Sequence, residues 1–463
     1  MLRFNGRRRE ETHLSRKHRI VVCGAGIAGV SAAYHLSRAG LQDILLVDRL
    51  PPLTLTSDHS TECYRNWWPD PELAALIDRS IDLMEGLANQ SNNAIRMNRR
   101  GYLYVSSGDR GAGHLQQSAE SISVVTGWPL RLHTSAGRGY ASSPAEGYDG
   151  QPVGADLLLG RPVIRKYFPY LADSATAALH VRRAGWLSAQ QLGMLLLERA
   201  RAAGVTFQLA SIVGARVVGG HIHSVELDTG DQVECEAFVN AAGPHFREVG
   251  HFCGLDIPVE AELHLKLAFE DPHGVVPRDA PLLIWNDPLQ LPWEQEEHQM
   301  LAEDLEMQWL TQSMPGGAHT RPEGSEESHT ILMLWDYRTR GMKPVFPPPM
   351  DEQYPEIVLR GLSIMLPRLR QYFGRAARPR LDGGYYIKTR ENRLLAGPTP
   401  MEGVYLLGGV SGYGIMSACA AGELLAAHMA GRPLPAYAQA FELARYDQPD
   451  YFARLGMLAG GEL

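Results

Sequence analysis

Residues 19–48 set a glycine-rich turn between two apolar runs, and this arrangement restricts the fold more than any other feature of the chain. Ile20, Val21 and Val22 lead directly into Gly24, Ala25, Gly26, Ile27, Ala28 and Gly29. A helix-like segment follows to Gly40, and a second apolar run from Ile44 to Val47 ends in Asp48 and Arg49. Gly24 permits a tight turn from strand to helix, Gly26 lets the backbone approach a pyrophosphate, and Gly29 lets the helix lie close on the strand. The helix start offers unpaired N–H groups and a partial positive charge. Asp48, at the tip of the second strand, suits the hydroxyls of a ribose. The stretch predicts a strand–helix–strand unit that grips a dinucleotide at its turn.

The chain has 463 residues, which exceeds one ordinary domain. A net charge of −8 gives no nucleic-acid footprint. The five cysteines (Cys23, Cys63, Cys235, Cys253, Cys419) lack C-x-x-C spacing. That argues against a disulfide framework or a metal site and fits a reducing, cytoplasmic compartment. The first residues form a basic head, Arg3 to Arg19, with no apolar segment behind it, so a disordered tail is expected rather than a secretory signal. No run of eighteen apolar residues occurs, and no transmembrane helix is expected.

Apolar periodicity predicts helices over 71–89, 187–204, 355–373 and 415–429, and strands at 102–105, 259–269, 330–335 and 404–407. Between Gly204 and Pro244 a meander of short strands is expected. Residues 106–154, rich in Gly and Ser, read as the least structured part, and 293–313 as an acidic helix. In 259–269, Leu263, Leu265, Leu267 and Phe269 share one face, and Glu262, His264 and Lys266 the other. A second glycine-rich turn, Gly408 to Gly414, precedes the last helix and offers the same dipole to a negative group.

Three segments together, 20–48, 239–244 (VNAAGP) and 383–416 (with GGYYIKTREN and GGVSGYGIM), resemble the D-amino-acid oxidase and sarcosine oxidase family of FAD enzymes. The resemblance spans almost the whole chain. It implies an α/β fold, with a doubly wound, Rossmann-like FAD-binding domain of glutathione-reductase type and an inserted β-sheet-based substrate domain. The division it suggests is a head at 1–18, an FAD-binding domain from 19–95, 155–250 and 375–440, a substrate domain from 96–154 and 251–374, and a tail at 441–463. By position it puts Gly24, Gly26, Ile27, Ala28 and Gly29 at the pyrophosphate and Asp48 and Arg49 at the adenosine end. Ala242 and Gly243 would line the cleft, and Gly409, Gly412, Tyr413, Gly414, Ile415 and Met416 would lie beside the flavin ring. Gly384 stands where sarcosine oxidases carry a flavin-linked cysteine. The flanks of His59 do not match the other flavin linkage of the wider family, so FAD is expected to be non-covalent. Met416 replaces the lysine that holds the substrate carboxylate in sarcosine oxidases, which implies a more apolar pocket.

Oxidation of a C–N bond by a flavin requires a neutral amine placed over the ring and, for an amino acid, a cation for its carboxylate. Arg65, flanked by Tyr64, Trp67 and Trp68, is the first candidate for that cation; the alternative is an arginine packed on tryptophan. His264 and Lys266 are candidates for tuning the flavin or assisting oxygen, against a solvated strand face. Tyr386 is a candidate for closing the pocket. Arg390 and Glu391 are expected to pair with each other. The resulting expectation is an enzyme that oxidises the CH–NH bond of an amino acid or amine, reoxidised by oxygen, a quinone or another flavoprotein. Two alternatives stay open: oxidation of a 2-hydroxy acid, and a flavin-bound assembly factor without turnover, using the basic head and the acidic insertion as contact surfaces.

Overall fold

The computed structural model describes residues 16–135, 137, 139–374 and 379–456. Most of the basic head therefore lies outside the described residues. Two large sheets organise the rest. The first has eight strands, with Arg16–Cys23 parallel to Ile44–Asp48 on one side and to Gln232–Asn240 on the other. Thr206–Leu209 extends it beyond Ile44–Asp48, and Val404–Gly408 pairs parallel with the end of Gln232–Asn240. Three strand tips thus finish at one edge, at Cys23, Asn240 and Gly408.

Small residues let the helices cover this sheet closely. Ile27–Arg38 packs on Gly414–Met429, where Ser31 Oγ donates to the carbonyl of Ala418 at 2.7 Å. A Cβ on Gly422 would lie 2.4 Å from that hydroxyl. The helix Pro71–Gln90 starts where the sequence stops competing for its first amides. Asp70 accepts from the N–H groups of Glu72 and Leu73, and Pro71 has no N–H to satisfy.

The second sheet has nine strands in the order Arg380–Lys388, Glu260–Glu270, Thr330–Leu334, Ala318–Pro322, Leu282–Trp285, Tyr102–Ser107, Ala175–Val181, Ala155–Leu159 and Leu130–His133. One face buries Leu267, Phe269, Met333 and Trp335 under the helix Tyr354–Met365. Ala155–Leu159, Ala175–Val181 and Arg380–Lys388, expected in the FAD-binding domain, hydrogen-bond within this second sheet instead. Their apolar runs do not reveal which sheet they join.

Other expectations are corrected. The 106–154 region holds a helix, Gly108–Thr126, and the strand Leu130–His133. That helix buries only Leu115, Ala119 and Ile122, a stripe too thin to stand out among glycines and serines. The acidic helix is confined to Gln295–Glu303, followed by a short 3-10 turn at Gln308–Thr311. The helix expected over 355–373 breaks before Pro367, which lacks the amide to continue it. The polar face of Glu260–Glu270 is not solvated, since His264 is buried and Lys266 keeps 12 % of its side chain accessible. Glu391 does not pair with Arg390. It receives Arg445 at 2.6 Å in a nearly dry pocket, while Arg390 lies over the ring of Phe452.

His180, on Ala175–Val181, sits between the Tyr140 hydroxyl and the Arg100 carbonyl at 2.9 Å each, and burial lowers its pKa to about 3. Only the neutral ring is tolerated in the folded chain, whereas the unfolded chain takes up a proton below about pH 6.5. Stability is therefore full above that pH and is lost as pH falls from 6.5 towards 3. The loss in urea-unfolding free energy between pH 7 and pH 5 is expected to shrink by roughly 2 kcal/mol in His180→Gln. Equal pH responses in the two proteins would contradict this.

Candidate active site

The three strand tips frame a cleft of about 980 Å³, its open mouth included. Its floor is the first turn. Gly24 has φ +103°, and a Cβ there would stand 2.3 Å from the Ala241 carbonyl oxygen. Gly29 does not line the cleft; its Cβ would meet the Gly24 carbonyl at 1.8 Å, so this glycine serves helix-to-strand approach. Gly26, Ile27 and Ala28 form the wall at the helix start, which has no capping side chain of its own. Asp48 also lines the cleft and accepts from the amides of Ala25 at 2.6 Å and Leu50 at 2.9 Å.

The second wall is Ala242 and Gly243, and the third is Gly409, Gly412, Gly414 and Ile415 at the start of the last helix. Gly409 has φ +65°, and the helix Gly414–Met429 likewise starts without a side-chain cap. Both helix starts that face the cleft lack an N-cap side chain, and apart from the Ile27 amide, which Ser57 takes, they present backbone amides to a negative group.

Besides Gly29, three expected contacts fall outside the wall. Arg49 turns away to His245, 2.8 Å from Nε2, and lies over Phe346. Tyr413 is buried and donates its hydroxyl to the Asn392 carbonyl at 2.6 Å. Met416 packs in the core.

The sequence reading placed the loop after Asp48 against the flavin but named none of its residues as lining the cleft. Thr54, Leu55, Thr56, Ser57 and Ser60 line it, and Ser57 Oγ accepts from the Ile27 amide at 3.0 Å. The signal was present as a Pro/Thr/Ser segment directly after Asp48, where hydroxyls can satisfy a helix start. His59, on the same loop, is held by Asp382 at 2.7 Å.

The nine-stranded sheet forms a roof. Tyr386 lines the cleft directly, and a Cβ on Gly412 would touch its ring at 2.7 Å. His264 stacks on that ring with centroids 3.9 Å apart and planes 19° apart. Burial raises the Tyr386 hydroxyl far above its usual range, so it stays protonated. Lys266 reaches the Ser60 carbonyl at 3.1 Å and Asp382 at 3.6 Å, and so anchors the closing loop to the roof. Arg65 lies apart from these, against the Tyr104 hydroxyl and 4.3 Å above the Trp68 ring. Burial lowers its pKa to about 10, which leaves it a cation at neutral pH. The Trp68 ring meets that of Tyr413 at 5.6 Å, next to the glycine wall.

The residues present fit a flavin dinucleotide: two uncapped helix starts, a glycine floor that side chains would fill, and a carboxylate at the strand tip. Among the described residues no group of three His, Cys, Asp or Glu side chains stands close enough to hold a metal, and no helix is long and apolar enough to cross a membrane.

The model of the DAO family, FAD dependent oxidoreductases, matches residues 19–428. Dimethylglycine dehydrogenase of Rattus norvegicus is 26% identical over 241 residues, covering 52% of this chain and 25% of that protein. The pyruvate dehydrogenase phosphatase regulatory subunit of Mus musculus is 27% identical over 258 residues, 54% of this chain and 26% of that protein. The chain thus spans about a quarter of the length of these two relatives. In fold it is similar to L-proline dehydrogenase from P. horikoshii, with a TM-score of 0.71 at 17% identity over 94% of this chain and 99% of that one.

Proposed function

Because this chain belongs to the DAO family of FAD-dependent oxidoreductases, we propose that it oxidises the CH–NH bond of an amino acid or related amine. The observation that carries this reading is the cleft between two helix starts without N-cap side chains, roofed by Tyr386 and the buried sheet face behind it. FAD, when bound, supplies the hydride acceptor. In this reading Gly24, Gly26, Ile27 and Ala28 hold the pyrophosphate on the first helix start, and Asp48 takes the ribose. Gly409, Gly412, Gly414 and Ile415 lie beside the ring, where the last helix start stabilises negative charge. The closing loop and Tyr386 exclude water. The substrate loses a proton and a hydride, and the imine left behind takes up one water to give a keto acid or aldehyde and the free amine.

Arg65 is the proposed cation for a substrate carboxylate. Its partly buried guanidinium, backed by Trp68 and Tyr104, offers strong charge-assisted hydrogen bonds. Gly384 in place of a linking cysteine, and His59 engaged by Asp382, support a non-covalent cofactor. Five buried, unpaired cysteines support a reducing, cytoplasmic setting. Oxygen, a quinone or a flavoprotein would complete the cycle as electron acceptor. Similarity to a regulatory subunit favours a second reading, a flavin-bound protein without turnover.

Gly26→Val is expected to yield folded protein without the yellow cofactor, because the glycine Cβ position is already 3.3 Å from Ser57 Oγ. A variant that stays yellow would remove Gly26 from the cofactor site. Arg65→Ala is expected to raise KM for a carboxylate-bearing substrate by about 10- to 100-fold with FAD retained, the range of a lost charged hydrogen bond. Unchanged kinetics would take Arg65 out of the pocket.

A further inference from the structure

The roof meets the dinucleotide-binding unit at two places beside the cleft, and they are fastened unequally. One is the later part of the closing loop, where the ties are polar and carry buried charge. Buried Arg321 donates to the Thr61 carbonyl, Lys266 donates to the Ser60 carbonyl, and Asp382 holds His59. The other lies beside Arg49 and His245. Their chain neighbours Gly243 and Pro51 line the cleft and are exposed, so solvent reaches the cleft there. At this lip the strand Arg380–Lys388 packs against the turn Gly243–His245.

Residues 337–350 connect the strand Thr330–Leu334 to the helix Tyr354–Met365 and are fixed to their own sheet. The Met342 amide donates to the Ala261 carbonyl at 2.8 Å. Tyr385, which lines the cleft, donates its hydroxyl to the Val345 carbonyl and accepts from the Val345 amide, both at 2.9 Å. The next residue, Phe346, spans the lip. On the roof side its ring meets that of Tyr385 edge-on at 5.5 Å. On the other side it meets the His245 ring at 5.6 Å, and the Arg49 guanidinium lies 5.6 Å from its centre. Arg49 follows Asp48 at the strand tip, and His245 follows Gly243 and Pro244 in the second wall. One ring thus joins the roof to the ends of two walls.

The seat of that ring is ordered. Glu248 accepts from His245 Nδ1 at 2.9 Å, which leaves Nε2 to accept from Arg49 at 2.8 Å. It is also the weaker fastening. Arg49 is exposed, Phe346 keeps 36 % of its surface accessible, and a cation–π contact at an exposed site contributes little. The ties at Thr61 and Ser60 involve buried cations that are costly to leave unpaired. The roof therefore parts first at Phe346.

We infer that Phe346 is the latch past which FAD enters and leaves the cleft. Seated on Arg49 and His245, its ring holds the roof against the dinucleotide-binding unit, and its release opens the lip beside Asp48 and Gly243. It acts through Tyr385 and the walls, as a positioning residue. The latch requires FAD in the cleft but no particular substrate, so it stands or falls apart from amine oxidation. It also has a signature that a merely supporting residue lacks. Entry and release both wait on the open form, so loosening the latch speeds both and leaves the dissociation constant nearly unchanged. A residue that only supports the cleft weakens binding by the same factor as it speeds release.

The test dilutes the purified holoprotein and follows free-flavin fluorescence, the time course giving the release rate and the end point the dissociation constant. Phe346→Ala is expected to release FAD about tenfold faster at a nearly unchanged dissociation constant, the size of one exposed cation–π contact and its ring contacts. Phe346→Tyr is expected to keep the wild-type rate, because its ring takes the same seat. Phe346→Leu, which keeps apolar bulk without the ring, is expected to fall between alanine and wild type, and it carries the test if the alanine variant does not fold. Arg49→Ala is expected to speed release as well, and the double variant Arg49→Ala with Phe346→Ala to be no faster than the faster single, because both remove one contact. Wild-type release from Phe346→Ala or Phe346→Leu, a dissociation constant that rises in step with the release rate, or effects that multiply in the double variant would overturn the latch.

Discussion

The structure depends on backbone meeting backbone at the edge of the first sheet, where side chains are absent. The Gly24 turn touches the chain at Ala241, and the helix behind it touches Gly24 at Gly29. At the third tip the missing side chain makes room for a ring instead, since a Cβ on Gly408 would strike Phe246 at 2.4 Å. These approaches bring two uncapped helix starts to one cleft. Any side chain at Gly24 or Gly29 would push the strand tips apart and separate the charges that the cleft concentrates.

The roof is fastened to this edge through one loop, residues 50–62. Ser57 takes the Ile27 amide of the first helix, Lys266 grips the Ser60 carbonyl, and Arg321 donates twice to the Thr61 carbonyl. Arg321 is 1 % exposed and balances its charge against Glu62 and Glu323. A buried cation tied to a carbonyl of the neighbouring unit is costly to remove, because its carboxylate partners would be left uncompensated. Loop, floor and roof are thereby held as one enclosure, which is what an oxidation that must exclude water requires.

Much of this was legible from residues. The fingerprint at 24–29 with Asp48 announced the parallel sheet and its cleft, because those glycines answer local backbone demands. The helix Pro71–Gln90 was legible because its apolar stripe is broad and Asp70 marks its start. What was hidden depends on distant partners. Glu391 finds Arg445 54 residues away, and nothing local distinguishes that from a pair with Arg390. Arg49, Tyr413 and Met416 lie within the right motifs, yet their side chains turn to His245, Asn392 and the core. A motif locates a backbone and leaves side-chain direction to packing.

The central claim is that this cleft oxidises amines. Anaerobic mixing of the yellow protein with amino acids, N-methyl amino acids and 2-hydroxy acids tests it most directly, with the visible flavin band as the readout. Bleaching by an amine class and not by hydroxy acids is the predicted result. Bleaching by hydroxy acids alone, or a flavin that no compound reduces, would contradict the account.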